Sequence, residues 1–196
     1  MKELSLYKIR DLAIASGRGV FTAQQLANLT GKSKAVATVY MARLVSKGLA
    51  TRLLKGRIAF TDDDFVIATQ LVEPSYISLD SALMLHGLST QITRRVQCVT
   101  SRNSKVLDSL GIEYHKIPSR LFFGYEKQRR GNSYAFVAVP EKALIDGLYL
   151  GIYNEERAAE LATHLNLNKA AEMLNNFKGK GSVKLKKVIA SLIKMN

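Results

Sequence analysis

Residues 22 to 60 limit the possible fold more than any other part of this chain. The spacing predicts a short helix over Thr22 to Leu29, a break at Thr30-Gly31-Lys32, and a longer helix over Ser33 to Lys47 that closes on Gly48. Two short strands are expected next, Leu49 to Leu54 and Arg57 to Phe60, around Lys55-Gly56. Thr22 suits a helix N-cap, with Gln25 three places on as in a capping box. Leu26 and Leu29 are three apart and share a face. Gly31 can take the left-handed backbone needed to leave a helix, and Ser33 then caps the next one. In that second helix Val36, Ala37, Tyr40, Met41, Leu44 and Val45 recur at helical spacing, so they are expected to face inward. Lys34, Thr38, Arg43 and Ser46 fall largely on the other side.

Helix, turn, helix and then a basic hairpin is the order of a winged helix-turn-helix, which lays its second helix in the DNA major groove. On that reading Lys32, Ser33, Lys34, Thr38 and Arg43 form the recognition-helix face. Ser33, Lys34 and Thr38 are placed to reach bases. Arg52, Lys55 and Arg57 form the wing and reach phosphates or the minor groove. The competing reading is a small helical bundle with a hairpin, its basic face merely solvated. Charge favours the first. The 196-residue chain carries a formal net charge of +13, with a pI ≈ 9.9. A surplus this large speaks about partners, phosphate backbones or other anionic surfaces, rather than about fold. Up to Arg57 there are eleven Lys and Arg against two acids, Glu3 and Asp11. The tail from residue 178 onward adds six Lys and no acid.

The remaining pattern predicts an α+β protein of two domains. Residues 3 to 15 put Leu4, Ile9, Leu12 and Ala13 at near-helical spacing and read as the first helix of a DNA-binding domain over 1–73. Arg18, in the turn that follows, either touches a phosphate or is solvated. Thr61-Asp62-Asp63-Asp64 looks like a metal cluster, but Thr61 as a cap with acids in the first helical turn explains it better. The boundary is placed at Glu73-Pro74. Beyond it, over 74–196, a short helix at Leu79 to His86 precedes a small, mainly antiparallel sheet flanked by helices. Its strands are read at Val96 to Thr100, Ile112 to Ile117, Leu121 to Tyr125 and Tyr134 to Val139. A short helix is read at Ser104 to Leu110, and Glu126 to Ser133 is read as a polar link. Pro140 opens a helix, where its missing N–H costs nothing. Three more helices are expected at Glu155 to Leu165, Asn168 to Phe177 and Ser182 to Lys194. The last is expected to dock through Leu185, Val188, Ile189, Leu192 and Ile193 rather than to act as a binding arm.

Several chemistries find no motif. TGKSK at residues 30 to 34 lacks the glycine and the preceding strand of a phosphate-binding loop. His86, His115 and His164 have neither the i, i+4 partner nor the cysteine pairs of a zinc site, and His86 reads as a packed histidine. Cys98 has no second cysteine to pair with and reads as a small core residue. No serine elbow and no catalytic carboxylate pair is present, so no enzyme, metal or cofactor is expected. No run approaches the ~18 apolar residues of a membrane span, and the N-terminus lacks a signal-peptide core; a cytoplasmic protein is expected. Arg94, Arg95, Arg102, Lys105, Lys127, Arg129 and Arg130 form a second scatter of positive charge, either solvated or a second surface for nucleic acid.

Three segments of the second half carry a family likeness. PSYISLDSALMLHGL (74–88), LFFGYEK (121–127) and AVPEKALIDGLYL (138–150) together resemble the AbiEi family, antitoxins of type IV toxin–antitoxin systems. RLVSKGLATRLLKGRIAF (43–60) resembles the winged helix-turn-helix that precedes that domain in the family. The resemblance spans residues 5 to 150. It implies an antitoxin that binds inverted-repeat operators at its own promoter, represses its operon and counteracts a nucleotidyltransferase-like toxin without a stable complex. A monomer or weak dimer that can assemble cooperatively on DNA is expected. The alternative is a stand-alone regulator whose second domain senses a ligand or a protein.

Overall fold

The computed structural model describes residues 4–90, 93–175, 177–179 and 181–195. The protein is α+β and divides into two compact units. The first comprises residues 1–73 together with 127–135, and the second 74–126 together with 136–196.

The first unit opens with α1 (Leu6–Ala15), capped by the Ser5 hydroxyl. A short strand β1 (Val20–Thr22) leads directly into α2 (Ala23–Thr30). Thr22 and Gln25 form the predicted capping box: the Thr22 hydroxyl accepts the Gln25 N–H at 3.0 Å, and the Gln25 side chain accepts the Thr22 N–H at 2.8 Å. Then come α3 (Lys34–Ser46), the hairpin β2 (Thr51–Leu54) and β3 (Arg57–Ala59), and α4 (Asp64–Leu71). The three strands form one antiparallel sheet in the order β1-β3-β2, with Phe21 and Arg52 both opposite Ile58. Ile9 and Ala13 of α1, Leu26 and Ala27 of α2, and Ala37, Tyr40, Met41 and Leu44 of α3 pack with Phe21 and Ile58 in one core. Burying apolar area of this kind is the main force holding so small a unit together.

Two expectations change here. Val36, expected inside, lies outside, because the buried stripe of α3 is only Ala37, Tyr40, Met41 and Leu44. The cap of α4 is Asp63 rather than Thr61. One Asp63 carboxylate oxygen accepts the N–H groups of Phe65 and Val66, both at 3.0 Å, and the other accepts Arg130 Nε at 2.9 Å. The acidic run is therefore a helix start.

The second unit holds β4 (Ser75–Ile77), α5 (Leu79–Leu85), β5 (Val96–Thr100), β6 (Lys105–Leu107) and β7 (Ile112–Lys116). Next are β8 (Tyr125–Arg130) and β9 (Ser133–Ala138), whose tip counts with the first unit. The helices α6 (Pro140–Leu150), α7 (Glu155–Ala162), α8 (Leu167–Met173) and α9 (Ser182–Met195) complete it. The sheet runs β6-β7-β5-β4-β9-β8. It is mixed, which corrects the expected mainly antiparallel arrangement. β4 pairs antiparallel with β5, and β6 with β7, but β4 lies parallel to β9 and β5 to β7. Turn residues announce only hairpins between neighbours in sequence, and neither parallel pair joins consecutive strands. The segment read as a helix from Ser104 is a strand followed by a single 3-10 turn at Asp108–Leu110. The polar link from Glu126 is the hairpin itself.

The three segments that carry the family likeness meet in one buried cluster. Tyr76, from the first, stacks on Tyr125, from the second, at 4.6 Å and 16°; Phe122 lies 5.0 Å from Tyr76. Lys142 and Asp146, from the third, form an ion pair one helical turn apart, both without solvent exposure. Asp146 also accepts hydrogen bonds from the hydroxyls of Tyr76 at 2.9 Å and Ser78 at 2.8 Å. The Lys142 ammonium faces the rings of Tyr76 and Phe123 at 5.5 and 5.3 Å.

Candidate nucleic-acid interface

The turn between α2 and α3 sets the direction of α3. Gly31 takes a left-handed conformation, φ 64°, with its N–H on the Ala27 carbonyl, and the Thr30 hydroxyl donates to the Leu26 carbonyl at 2.8 Å. Ser33 then starts α3, its hydroxyl accepting the Val36 N–H at 3.3 Å. With Ala37, Tyr40, Met41 and Leu44 buried and Val45 half-buried against the same core, the rest of α3 faces out. Lys34, Ala35, Val36, Thr38, Val39, Ala42, Arg43, Ser46 and Lys47 are all exposed. Lys32, in the turn, is half-buried.

The β2–β3 hairpin presents Arg52 and Lys55 exposed and Arg57 half-exposed. Gly56 supplies the positive φ, 73°, that its tight turn demands. The Arg57 guanidinium donates to the Gly56 carbonyl at 3.3 Å, which holds it at the hairpin tip. The strand register shifts between Arg52 and Leu54, and such an irregularity increases the local twist of a hairpin.

The cations of this unit differ in their partners. Some serve the fold: Arg10 pairs with Asp11 at 2.9 Å, Arg18 with Glu73 at 2.6 Å and Arg130 with Asp63 at 2.9 Å. Arg18 also donates to the Val20 carbonyl at 2.6 Å, so it is a clasp of the loop rather than a solvated or phosphate-seeking side chain. Lys8 on α1 and Lys127 and Arg129 on the β8–β9 hairpin pair with no carboxylate among the described residues, and a further six cations are Lys32, Lys34, Lys47, Arg52, Lys55 and Arg57. Among the described residues no carboxylate pairs with any of these six. They, with Arg43, are the cations of α3, its approach turn, its C-cap and the hairpin.

Two predicted base-reading hydroxyls have internal partners. The Thr38 hydroxyl donates to the Lys34 carbonyl at 2.9 Å, and the Ser33 hydroxyl is the helix cap. Thr38 turns toward its own helix because a hydroxyl at that position reaches the carbonyl four residues back. Sequence reading also missed the part that the β8–β9 tip plays. Lys127 and Arg129 are exposed and belong to the first unit. Lys127 lies over the Tyr134 ring at 4.0 Å, a cation–π contact between the two strands of the hairpin. Their charge was legible, but their return to the first unit was not, since no local pattern encodes which core a distant hairpin joins.

His86 and the cysteine have structural surroundings. His86 Nε2 lies 2.9 Å from the Ala138 carbonyl oxygen. Burial pushes the Cys98 thiol well above its usual range, which leaves it a poor nucleophile. Among the described residues no three His, Cys, Asp or Glu are grouped to hold a metal ion. Among them, too, no helix is long and apolar enough to cross a membrane.

No protein-family model matches this chain. No curated protein matches it either.

Proposed function

We propose that the first unit is a winged helix-turn-helix that binds duplex DNA, with α3 in the major groove and the β2–β3 hairpin as the wing. The observation that carries this reading is the set of cations along α3 and the hairpin. Arg10, Arg18 and Arg130 neutralise carboxylates of the fold, whereas six cations on α3, its flanks and the β2–β3 hairpin have no such partner. Exposed, unneutralised Lys and Arg beside a helix of groove-fitting dimensions are what phosphate contact requires. We further propose that the protein is an AbiEi-like antitoxin that represses its own operon from inverted repeats and counteracts a nucleotidyltransferase-like toxin. The resemblance of its three segments supports this.

The wing gives the direct test. Each neutralised phosphate releases condensed counterions, so the slope of log K against log salt shrinks by about 0.9 for every phosphate of B-DNA that the protein no longer reaches. Lys55→Ala with Arg57→Ala is expected to weaken binding on specific and unrelated duplexes alike and to reduce the slope by about 1.8. An unchanged slope in fluorescence-anisotropy titrations across salt would remove the hairpin from the interface. Rescue of growth on co-expression with a nucleotidyltransferase-like toxin tests the antitoxin role.

A further inference from the structure

The outer face of α3 lacks most side chains that read bases through hydrogen bonds. Lys34–Ser46 contains no Asn, Gln, Asp or Glu. Adenine is read by Asn or Gln in a bidentate pair, and the cytosine amino group by Asp or Glu; neither type is present. The hydroxyls of Thr38 and Ser46 already donate to carbonyls of their own helix, at 2.9 and 3.0 Å. What the face offers instead is methyl groups. Ala35, Val36, Val39 and Ala42 are exposed, and Val36 and Val39 leave 39% and 49% of their surface open. Three residues apart, these two valines are neighbours on the helix surface, with Lys34 before them and Arg43 and Lys47 after.

Resting on the DNA-binding reading above, we infer that Val36 and Val39 are specificity-determining residues that read the C5 methyl groups of thymines in the major groove. The thymine methyl is the apolar feature of that groove and is recognised by apolar contact. Charge decides against the same valines packing on a second copy of the chain. A two-fold contact through this face would bring the Lys34, Arg43 and Lys47 cations of the two copies together, and like charges facing each other across an interface are costly. DNA supplies the opposite charge on both flanks and the methyl groups between. Sequence preference then comes from thymines at the centre of each contact, and the cations hold the phosphates beside them.

The experiment uses the full-length protein and a duplex selected by it from a random pool. Each thymine in turn is replaced by deoxyuridine, which keeps every hydrogen-bonding group and removes only the methyl. At one or two positions this is expected to weaken wild-type binding about fourfold, the worth of one buried methyl-sized group. Val39→Ala weakens binding to the unmodified duplex and loses its sensitivity to deoxyuridine at the matching position, because the two changes delete one contact and do not add. The exposure of Val39 leaves the fold unaffected, which far-UV circular dichroism verifies. Equal affinity for thymine and fully deoxyuridine-substituted duplexes, with a steep salt dependence retained, overturns methyl reading and leaves the DNA-binding reading standing. No salt-dependent binding to any duplex overturns both. A self-association in sedimentation velocity that Val39→Ala abolishes assigns the face to a second copy and also overturns the inference.

Discussion

Lys142 and Asp146 show most clearly how single residues hold the second unit. Both are fully buried, and a buried charge survives only when its partner and its hydrogen bonds are in place. Here Asp146 holds the ammonium on one oxygen and the Tyr76 and Ser78 hydroxyls on the other. Burial draws the Lys142 ammonium below the ordinary lysine pKa, and the Asp146 carboxylate opposes that shift. The backbone beside Ser78 is strained, with Leu79 at φ 54°. A side chain takes that conformation only when its surroundings fix it, and Leu79 is itself fully buried. Lys142→Met leaves a lone carboxylate in the core and is expected to lower stability by about 3–5 kcal/mol. Adding Asp146→Asn removes that charge and keeps an acceptor for the two hydroxyls, so the double variant is expected to regain half the loss or more. Urea unfolding followed by circular dichroism compares the two; a double variant as unstable as the single one would deny that the pair acts as a unit.

Elements were legible in proportion to how local their signals are. The capping box at Thr22, the glycine at Gly31, the Ser33 cap and the Lys55-Gly56 turn each announce a helix end or a hairpin within four residues, and α2, α3 and the β2–β3 hairpin follow them. The candidate interface lies on these elements, so its cations are readable from sequence alone. β1 and β4, three residues each, are too short to show an alternation. β8 reads Tyr-Glu-Lys-Gln-Arg-Arg, a polar run that resembles a link, and strand pairing from the rest of the sheet decides its conformation. Val36 has inward spacing and yet lies outside, because α3 buries a narrower stripe than its apolar content suggests. Gln70 on α4 is the clearest element-level connector that no pattern reveals. Its side-chain oxygen accepts the N–H groups of Gly19 and Val20, at 2.8 and 3.1 Å. Its nitrogen donates to the Ser133 hydroxyl and the Tyr134 carbonyl, at 3.1 and 2.9 Å. One side chain thus satisfies the entry to β1 and one strand of the distant hairpin tip. Gln70→Leu leaves buried N–H groups unpaired, and each such group costs about 1–3 kcal/mol. A loss of about 3 kcal/mol is expected, with amide hydrogen exchange at Gly19 and Val20 accelerated ahead of the rest of the chain. Exchange at these two amides as slow as in the wild type would mean that other groups satisfy them.

At the scale of the whole molecule, the first unit is not continuous in sequence. Its 1–73 segment is completed by 127–135, although Pro74 and the change of pattern beyond it suggest a clean cut. Three connections tie the returning segment in: Gln70 to Ser133 and Tyr134, Arg130 to Asp63, and the Ser133 hydroxyl to the Gly17 carbonyl at 2.9 Å. Asp63 is also the cap of α4, so the returning arginine steadies the charge at a helix start. Intramolecular hydrogen bonds of this kind contribute about 1 kcal/mol each, and more when one partner is charged. A fragment of residues 1–73 is therefore expected to be less stable by about 3 kcal/mol, a large share of the ~5–15 kcal/mol that holds a typical domain. Such a fragment keeps every residue of the proposed interface, so it separates two roles for the second half. If 127–135 acts only as a structural completion, the fragment binds DNA with the full-length salt slope once it is folded at low temperature, and only its urea midpoint falls. If Lys127 and Arg129 also touch phosphates, the slope falls as well, by about 0.9 for each of them. A fragment with an unchanged midpoint would show that the returning hairpin is dispensable and that the division at Glu73 is complete.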